Sequence, residues 1–127
     1  MKNPNITIDT TILPEGYLTN GYNTEDGKCD SRYVGSYAIE IAESLATMKS
    51  EVFRRYYRKI NQSARDSIDQ KQKLVWKLVA HAYEAVAMGH APEIFYAFMK
   101  LNAENIIDNK SYNDFRDHME AVFCYMN

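Results

Sequence analysis

The sequence predicts an all-α fold, a compact bundle of about five helices with an irregular N-terminal arm. From residue 31 onward, apolar residues recur at helical spacing, and no window shows sustained alternation with a period of two. The first 30 residues are instead rich in Asn, Thr, Gly and Asp, which favour turns. With 127 residues, the chain is long enough for one domain. We therefore expect the arm over residues 1–30 and a single helical domain over residues 31–127.

The predicted arm contains turn dipeptides at 20–21 (Asn-Gly) and 26–27 (Asp-Gly). Its apolar residues are expected to dock on the helical body, and they are Ile12, Leu13, Tyr17, Leu18 and Tyr22. The first helix follows, with Asp30 or Ser31 as its N-cap. The apolar stripe of this helix comprises Tyr33, Val34, Tyr37, Ala38, Ile41, Ala42 and Leu45.

A second helix is predicted over Val52–Ile60, and it is strongly amphipathic. Its apolar residues fall on one side of the helix: Val52, Phe53, Tyr56, Tyr57 and Ile60. Four cations fall on the opposite side: Arg54, Arg55, Arg58 and Lys59. This pattern predicts a helix with its apolar stripe toward the core and its cations toward solvent.

The third helix is predicted from about Ser67 to Met88. Ser67 and Gln70 fit a capping box at its start, while Gly89 and Pro92 supply its end. The core residues expected on this helix are Leu74, Val75, Leu78, Val79, Ala82 and Val86.

Two further helices complete the predicted bundle. Pro92 suits the first turn of the fourth, which carries Ile94, Phe95, Phe98, Met99 and Ile106. Ser111 with Asp114 is expected to cap the fifth, whose apolar residues repeat at three and four: Phe115, Met119, Val122, Phe123 and Met126.

Several classes of protein are excluded by composition. No uncharged run approaches the ~18–20 residues that a membrane span needs, and the N-terminus has no apolar signal region. The two cysteines, Cys29 and Cys124, are 95 positions apart and form neither a metal cluster nor a disulfide framework. With 46% apolar and 25% charged residues, the chain is expected to be soluble, cytoplasmic and free of membrane contact.

Catalytic and metal-binding motifs are missing from the sequence. The residues three before His81, His90 and His118 are not glutamates, so the Glu-x-x-His motif of di-iron bundles is absent. Cys-x-x-Cys, His-Glu-x-x-His, P-loop and Gly-x-Gly-x-x-Gly motifs are absent too. We therefore expect structural or surface histidines, a buried Cys124, and no catalytic residue, metal or cofactor.

Charge is segregated along the chain. Residues 48–81 carry nine Lys or Arg against three Asp or Glu, whereas the segments on either side are acidic. The lysines of the third helix, at 71, 73 and 77, can join the cations of the second if the helices are neighbours. Such a surface suits a sugar–phosphate backbone, a protein-docking site, or a solvated helix face that pairs with the acidic segments. Trp76 and Tyr83 lie beside these lysines and can pack between subunits or against a nucleotide.

Four short segments occur in a characteristic order: 13–18 (LPEGYL), 36–42 (SYAIEIA), 51–57 (EVFRRYY) and 115–125 (FRDHMEAVFCY). Together they resemble the small subunit of the type III-A CRISPR effector, the Csm complex. The resemblance spans nearly the whole chain, and the order and spacing of the segments carry it. Val52 departs from the Gln common in the family, and segment 74–80 (LVWKLVA) keeps only Lys77 of a Leu-x-Pro-Lys-x-x-Tyr pattern. The chain could therefore be a related small subunit of another type III assembly, and this assignment is kept as an alternative.

The resemblance implies a noncatalytic subunit of a ribonucleoprotein complex in antiviral defence. Such subunits stack in several copies and line the channel that holds the crRNA–target RNA duplex, while other subunits perform catalysis. The implied partners are crRNA, target RNA, other Csm subunits and copies of the chain itself. The residues expected to bind RNA are Lys49, Arg54, Arg55, Arg58, Lys59, Lys73 and Lys77. The alternative is a helical adaptor that docks an acidic protein partner and does not bind RNA.

Overall fold

Five α-helices make up most of the chain after residue 35. The computed structural model describes residues 12–126; residues 1–11 of the predicted arm and residue 127 of the predicted domain lie outside the described residues. The helices are α1 (Ser36–Ser44), α2 (Ser50–Gln62), α3 (Ile68–Ala87), α4 (Glu93–Glu104) and α5 (Asn109–Tyr125). A four-residue extended segment, β1 (Thr19–Tyr22), and a 3₁₀ turn over Ser31–Tyr33 precede them. The predicted all-α fold is confirmed.

The helices pack as two pairs linked by α2. α3 lies along α4, α1 lies along α5, and α2 contacts both α5 and α3. All five helices bury apolar side chains in one core, and large fully buried members are Ile41, Phe53, Ile60, Val75, Phe95, Phe98, Met99, Phe115 and Met119. Burial of one such side chain contributes about 1.5–3 kcal/mol. This core therefore fixes which side of each helix faces solvent.

Both ends of α3 lie where the sequence predicts them. Ser67 Oγ accepts a hydrogen bond from the backbone N–H of Gln70 at 3.3 Å. At the other end, Gly89 adopts a φ of 79°, and the His90 N–H donates to the Ala85 carbonyl at 2.8 Å. This arrangement is a Schellman motif, which a glycine in the left-handed region favours.

The predicted first helix is two elements instead of one. Asp30 accepts from the backbone N–H of Arg32 at 3.0 Å and thereby caps the short 3₁₀ turn. The chain then changes direction at Gly35 (φ −121°, ψ −113°), and α1 begins at Ser36. Val34, which the sequence assigns to the buried stripe, is consequently 48% exposed.

The starts of α4 and α5 also differ from prediction. Pro92 is the N-cap of α4 and lies just before its first turn. α5 begins earlier than predicted because Asp108, and not Ser111, is its N-cap. The Asp108 carboxylate accepts from the Ser111 N–H at 2.8 Å, while Ser111 Oγ accepts from the Asp108 N–H at 3.1 Å. This reciprocal pair is a capping box in which serine replaces the usual glutamate.

The described part of the arm docks on the helical body. Leu13, Tyr17, Leu18 and Tyr22 are buried, as expected, whereas Ile12 is exposed. The Leu18 N–H donates to the hydroxyl of Tyr33 at 2.8 Å, and this bond holds Leu18 at a positive φ of 59°. Burial and hydrogen bonding together stabilise a backbone conformation that leucine rarely adopts.

A chain of buried hydrogen bonds joins the arm to α4 and α5. His118 Nδ1 lies 2.5 Å from the Tyr33 carbonyl, which can only accept, so Nδ1 carries the proton. Nε2 therefore accepts from the Tyr17 hydroxyl at 2.6 Å. Asn102 donates to the Tyr17 oxygen at 2.8 Å and accepts from the Tyr22 hydroxyl at 2.6 Å. His118 is thus a structural residue, in agreement with the sequence-based expectation.

Candidate nucleic-acid interface

α2 separates charged from apolar surface more sharply than the other described helices. Phe53 and Ile60 are fully buried, while the four predicted cations are exposed. Successive residues of an α-helix are 100° apart, so these cations occupy the side opposite the two buried residues. We call this set the basic face, and its members are Arg54, Arg55, Arg58 and Lys59.

Polar contacts to α5 hold α2 in this orientation. The Tyr57 hydroxyl donates to Glu120 Oε2 at 2.9 Å, and the Tyr112 hydroxyl donates to the Ile60 carbonyl at 2.6 Å. Burial and the hydrogen bond to Glu120 raise the pKa of Tyr57, which keeps this hydroxyl protonated as the donor. The outward direction of the basic face is therefore set by packing and not by the cations themselves.

Within residues 12–126, Arg54 is the one member of the basic face that forms an ion pair. Its Nη1 lies 3.3 Å from Glu51 Oε1, and both side chains are about half exposed. Exposed pairs of this kind contribute about 0–1 kcal/mol. Glu51 therefore only partly offsets the positive charge of the basic face.

The remaining predicted RNA-binding residues are exposed as well. Lys73 and Lys77 are four residues apart on α3 and so lie one turn apart on the same side of that helix. Lys49 is the N-cap residue of α2, on the connection from α1. α2 and α3 contact each other, so the basic face and the two α3 lysines lie on neighbouring helices. That they form one continuous strip stays a prediction.

Lys71 does not join this surface, contrary to the sequence-based expectation. It is 4% exposed. Its Nζ donates to Asn109 Oδ1 at 2.9 Å and lies 4.9 Å from the centre of the Tyr112 ring. The ammonium group is thus stabilised within the protein by an amide oxygen and by a cation–π contact. Lys71 ties α3 to the start of α5.

Trp76 and Tyr83 both lie on the side of α3 that faces α4. Trp76 is 43% exposed, while Tyr83 is half-buried and packs edge-on against Tyr96 with ring centres 5.4 Å apart. Gln72, on the same stripe, donates to the Ile106 carbonyl just beyond α4 at 2.8 Å. Trp76 thus lies outside the apolar core.

No protein-family model, curated protein or solved structure matches the chain. Function must therefore be inferred from the residues of the chain and the surfaces that they form. Among residues 12–126, no helix is long and apolar enough to cross a bilayer, and no three His, Cys, Asp or Glu side chains are grouped as metal ligands.

The prediction that Cys124 is buried is wrong. Its side chain is exposed, as is that of Cys29. On α5, Met119 and Val122 face the core, and Cys124 is about 200° around the helix from Val122. Of its apolar neighbours in sequence, Phe123 lies at the edge of the core and Tyr125 is exposed to solvent, so neither encloses the thiol.

The exposed cations can contact several phosphates at once without reading base sequence. Sequence reasoning missed two residues on the side of α4 that faces α3, Tyr96 and Lys100. Tyr96 falls off the buried stripe of α4 formed by Phe95, Phe98 and Met99, and Lys100 follows it by one helical turn. A helical wheel of α4 shows that Tyr96 and Lys100 lie off the buried stripe. Only the contact between Tyr96 and Tyr83 shows that this side of α4 lies beside α3.

Proposed function

We propose that the chain is a noncatalytic, RNA-binding small subunit of a type III-A CRISPR (Csm) effector complex. The basic face would contact the ribose–phosphate backbone of crRNA and target RNA. One observation carries the proposal: four cations are exposed on one side of α2, opposite the buried Phe53 and Ile60. The resemblance of four ordered segments to the Csm small subunit supplies the assembly in which this surface would act.

A surface of this kind suits a repeated subunit. Backbone contacts are independent of sequence, so identical copies can follow one RNA whatever guide it carries. A single copy meets few phosphates, and the affinity of the isolated chain should be low and strongly salt-dependent. Stacked copies on one RNA bind more tightly because each additional contact is intramolecular. Lys73 and Lys77, on the neighbouring helix, would extend the same contact.

The direct test is RNA binding measured by fluorescence anisotropy at low salt. The variant R55E/R58E removes two cations of the basic face for which the described residues provide no ion pair. We expect it to lose detectable binding while far-UV circular dichroism stays helical. The control K28E/K110E makes the same change in net charge on exposed lysines outside residues 48–81, although it also removes the Lys110–Asp114 ion pair, and it should bind nearly as well as the wild type.

Two further measurements separate this proposal from its alternative. R55K/R58K preserves charge and should keep most of the RNA affinity. Contacts to phosphates depend more on positive charge than on the planar donor arrangement of the arginine guanidinium group. The tagged chain, when purified from its native host, should retain RNA of uniform length, and high salt should release that RNA. Retention of an acidic protein without RNA, or equal binding by R55E/R58E and the wild type, would instead favour the helical adaptor.

A further inference from the structure

A row of aromatic rings follows the junction of α3 and α4. Trp76 and Tyr83 are seven residues apart, so they lie on one stripe of α3, two turns from each other. Tyr83 packs edge-on against Tyr96 of α4. We call these three rings the aromatic seam. Of the three, Trp76 presents the largest exposed fraction, 43%.

Two contacts fix the register of α3 against α4. Tyr83 meets Tyr96, and Gln72 reaches the Ile106 carbonyl, so the two helices are antiparallel. This register places Lys100 level with Val79, about one helical turn from Trp76. It also places Glu104 level with Val75, so α4 brings both a lysine and a glutamate to within about one turn of the exposed indole.

The charge that α3 places around the indole is positive at short range. Lys73 and Lys77 lie three residues before and one residue after Trp76, and both are exposed. On α3, the nearest acidic residues are Asp69 and Glu84, each about two turns away. α4 contributes Glu104 as well as its lysine, so the positive charge is concentrated on the α3 side of the seam.

We propose that the aromatic seam stacks the unpaired bases of single-stranded RNA, with Trp76 as the principal platform. The lysines at 73, 77 and 100 would hold the flanking phosphates. This inference rests on the proposed function, because it assumes that the chain binds RNA, and it adds that the ligand has at least one unstacked base. An aromatic ring flanked by cations is the arrangement by which single strands are bound without sequence preference.

Charge complementarity favours RNA over a second copy of the chain at this surface. In a two-fold contact centred on Trp76, each lysine beside one indole would meet the corresponding lysines of the other copy. Such like-charge contacts oppose association, whereas a phosphate chain neutralises them. The exposed indole remains available for one face of a base.

Trp76 is the only tryptophan of the chain, so its fluorescence reports directly on the site. We expect a short oligouridylate to quench this emission upon saturation. An abasic ribose–phosphate oligomer of the same length should bind through the cations without comparable quenching, and a blunt RNA duplex should behave in the same way. Emission that is unchanged when the oligouridylate is fully bound would overturn the inference.

Affinity provides the second readout. W76L should weaken oligouridylate binding about 5- to 150-fold, the range that one base stacked on an aromatic ring supplies. It should leave binding of the abasic oligomer unchanged. Y125L is a matched control, since it removes another exposed aromatic ring, on α5, and should not alter either affinity. Helical circular dichroism of each variant excludes unfolding as the cause.

The outcomes separate this inference from the proposed function. Loss of base-dependent binding in W76L, with the abasic oligomer still bound, supports both. Equal oligouridylate affinity for W76L and the wild type overturns the stacking inference and leaves backbone binding by the basic face intact. Failure of the wild type to bind any RNA overturns both. A dimer that W76L converts to a monomer, without a change in RNA affinity, would show a contact between copies and overturn the inference.

Discussion

Acidification should destabilise the fold through His118, which joins the arm to α5. Its side chain is fully buried, and Nε2 must stay unprotonated to accept from the Tyr17 hydroxyl. Burial lowers the pKa of His118 from 6.5 to about 4. The unfolded chain therefore binds a proton at a pH where the folded chain does not, and the folded state loses stability as pH falls.

The size of the effect follows from these two pKa values. The contribution of His118 is fully present above pH 6.5 and is lost as pH falls from 6.5 toward 4. Each decrease of one pH unit within this window lowers the free energy of unfolding by about 1.4 kcal/mol, so the loss reaches about 3 kcal/mol at pH 4. With a urea m value of about 1–3 kcal/mol per M, the unfolding midpoint should fall by about 1–3 M.

Urea denaturation followed by circular dichroism between pH 7 and pH 4.5 measures this loss. The control is H118Q, which cannot titrate there and should show a much shallower dependence, even though it is less stable at pH 7. His81 and His90 are common to both chains and cancel in the comparison. Asp30 and Asp108 contribute little in this range, because the unfolded-state carboxyl pKa of 3.8 lies below it and hydrogen bonding lowers the folded-state pKa of each further. Parallel profiles for the wild type and H118Q would refute the reasoning.

Two more substitutions test the buried polar contacts. N102L removes one hydrogen-bond partner from each of the Tyr17 and Tyr22 hydroxyls and should lower the free energy of unfolding by about 2–4 kcal/mol. The control N105L removes one hydrogen bond at a half-buried position and should cost about half as much or less. Equal losses for the two variants in urea denaturation would contradict a stabilising role of the buried network. K71M should cost about 1–2 kcal/mol of stability, because it removes one hydrogen bond and one cation–π contact, and it should leave RNA affinity unchanged. Weaker RNA binding by K71M in the anisotropy assay would place Lys71 in the binding surface after all.

The parts of the fold that the sequence predicted well are those specified by local interactions. The apolar spacing indicated all five helices, and Ser67, Gln70 and Gly89 placed both ends of α3, because caps act within one turn. The errors have local causes too. Asp30 closes a 3₁₀ turn before α1, and Asp108 offers α5 a cap earlier than Ser111.

Other features depend on contacts between residues far apart in sequence. The sequence suggests that Lys71 is one more cation of a basic segment. Its ammonium group is instead buried, where it donates to Asn109, 38 positions away in sequence. Cys124 reads as buried from its neighbours, but its position on α5 places it in solvent. Exposure of the basic face was predictable because the apolar stripe of α2 determines it. The sequence predicted only part of the aromatic seam, because Tyr96 meets Tyr83 through tertiary packing.

The salt dependence of RNA affinity tests most directly whether the basic face binds phosphates. Each phosphate contact with a single strand contributes about −0.7 to the slope of log affinity against log salt concentration. The neutral variant R54Q/R55Q/R58Q removes three cations of the basic face, and its slope should be shallower than that of the wild type by about 2. Equal slopes for the two proteins, with helical structure retained in both, would contradict the account.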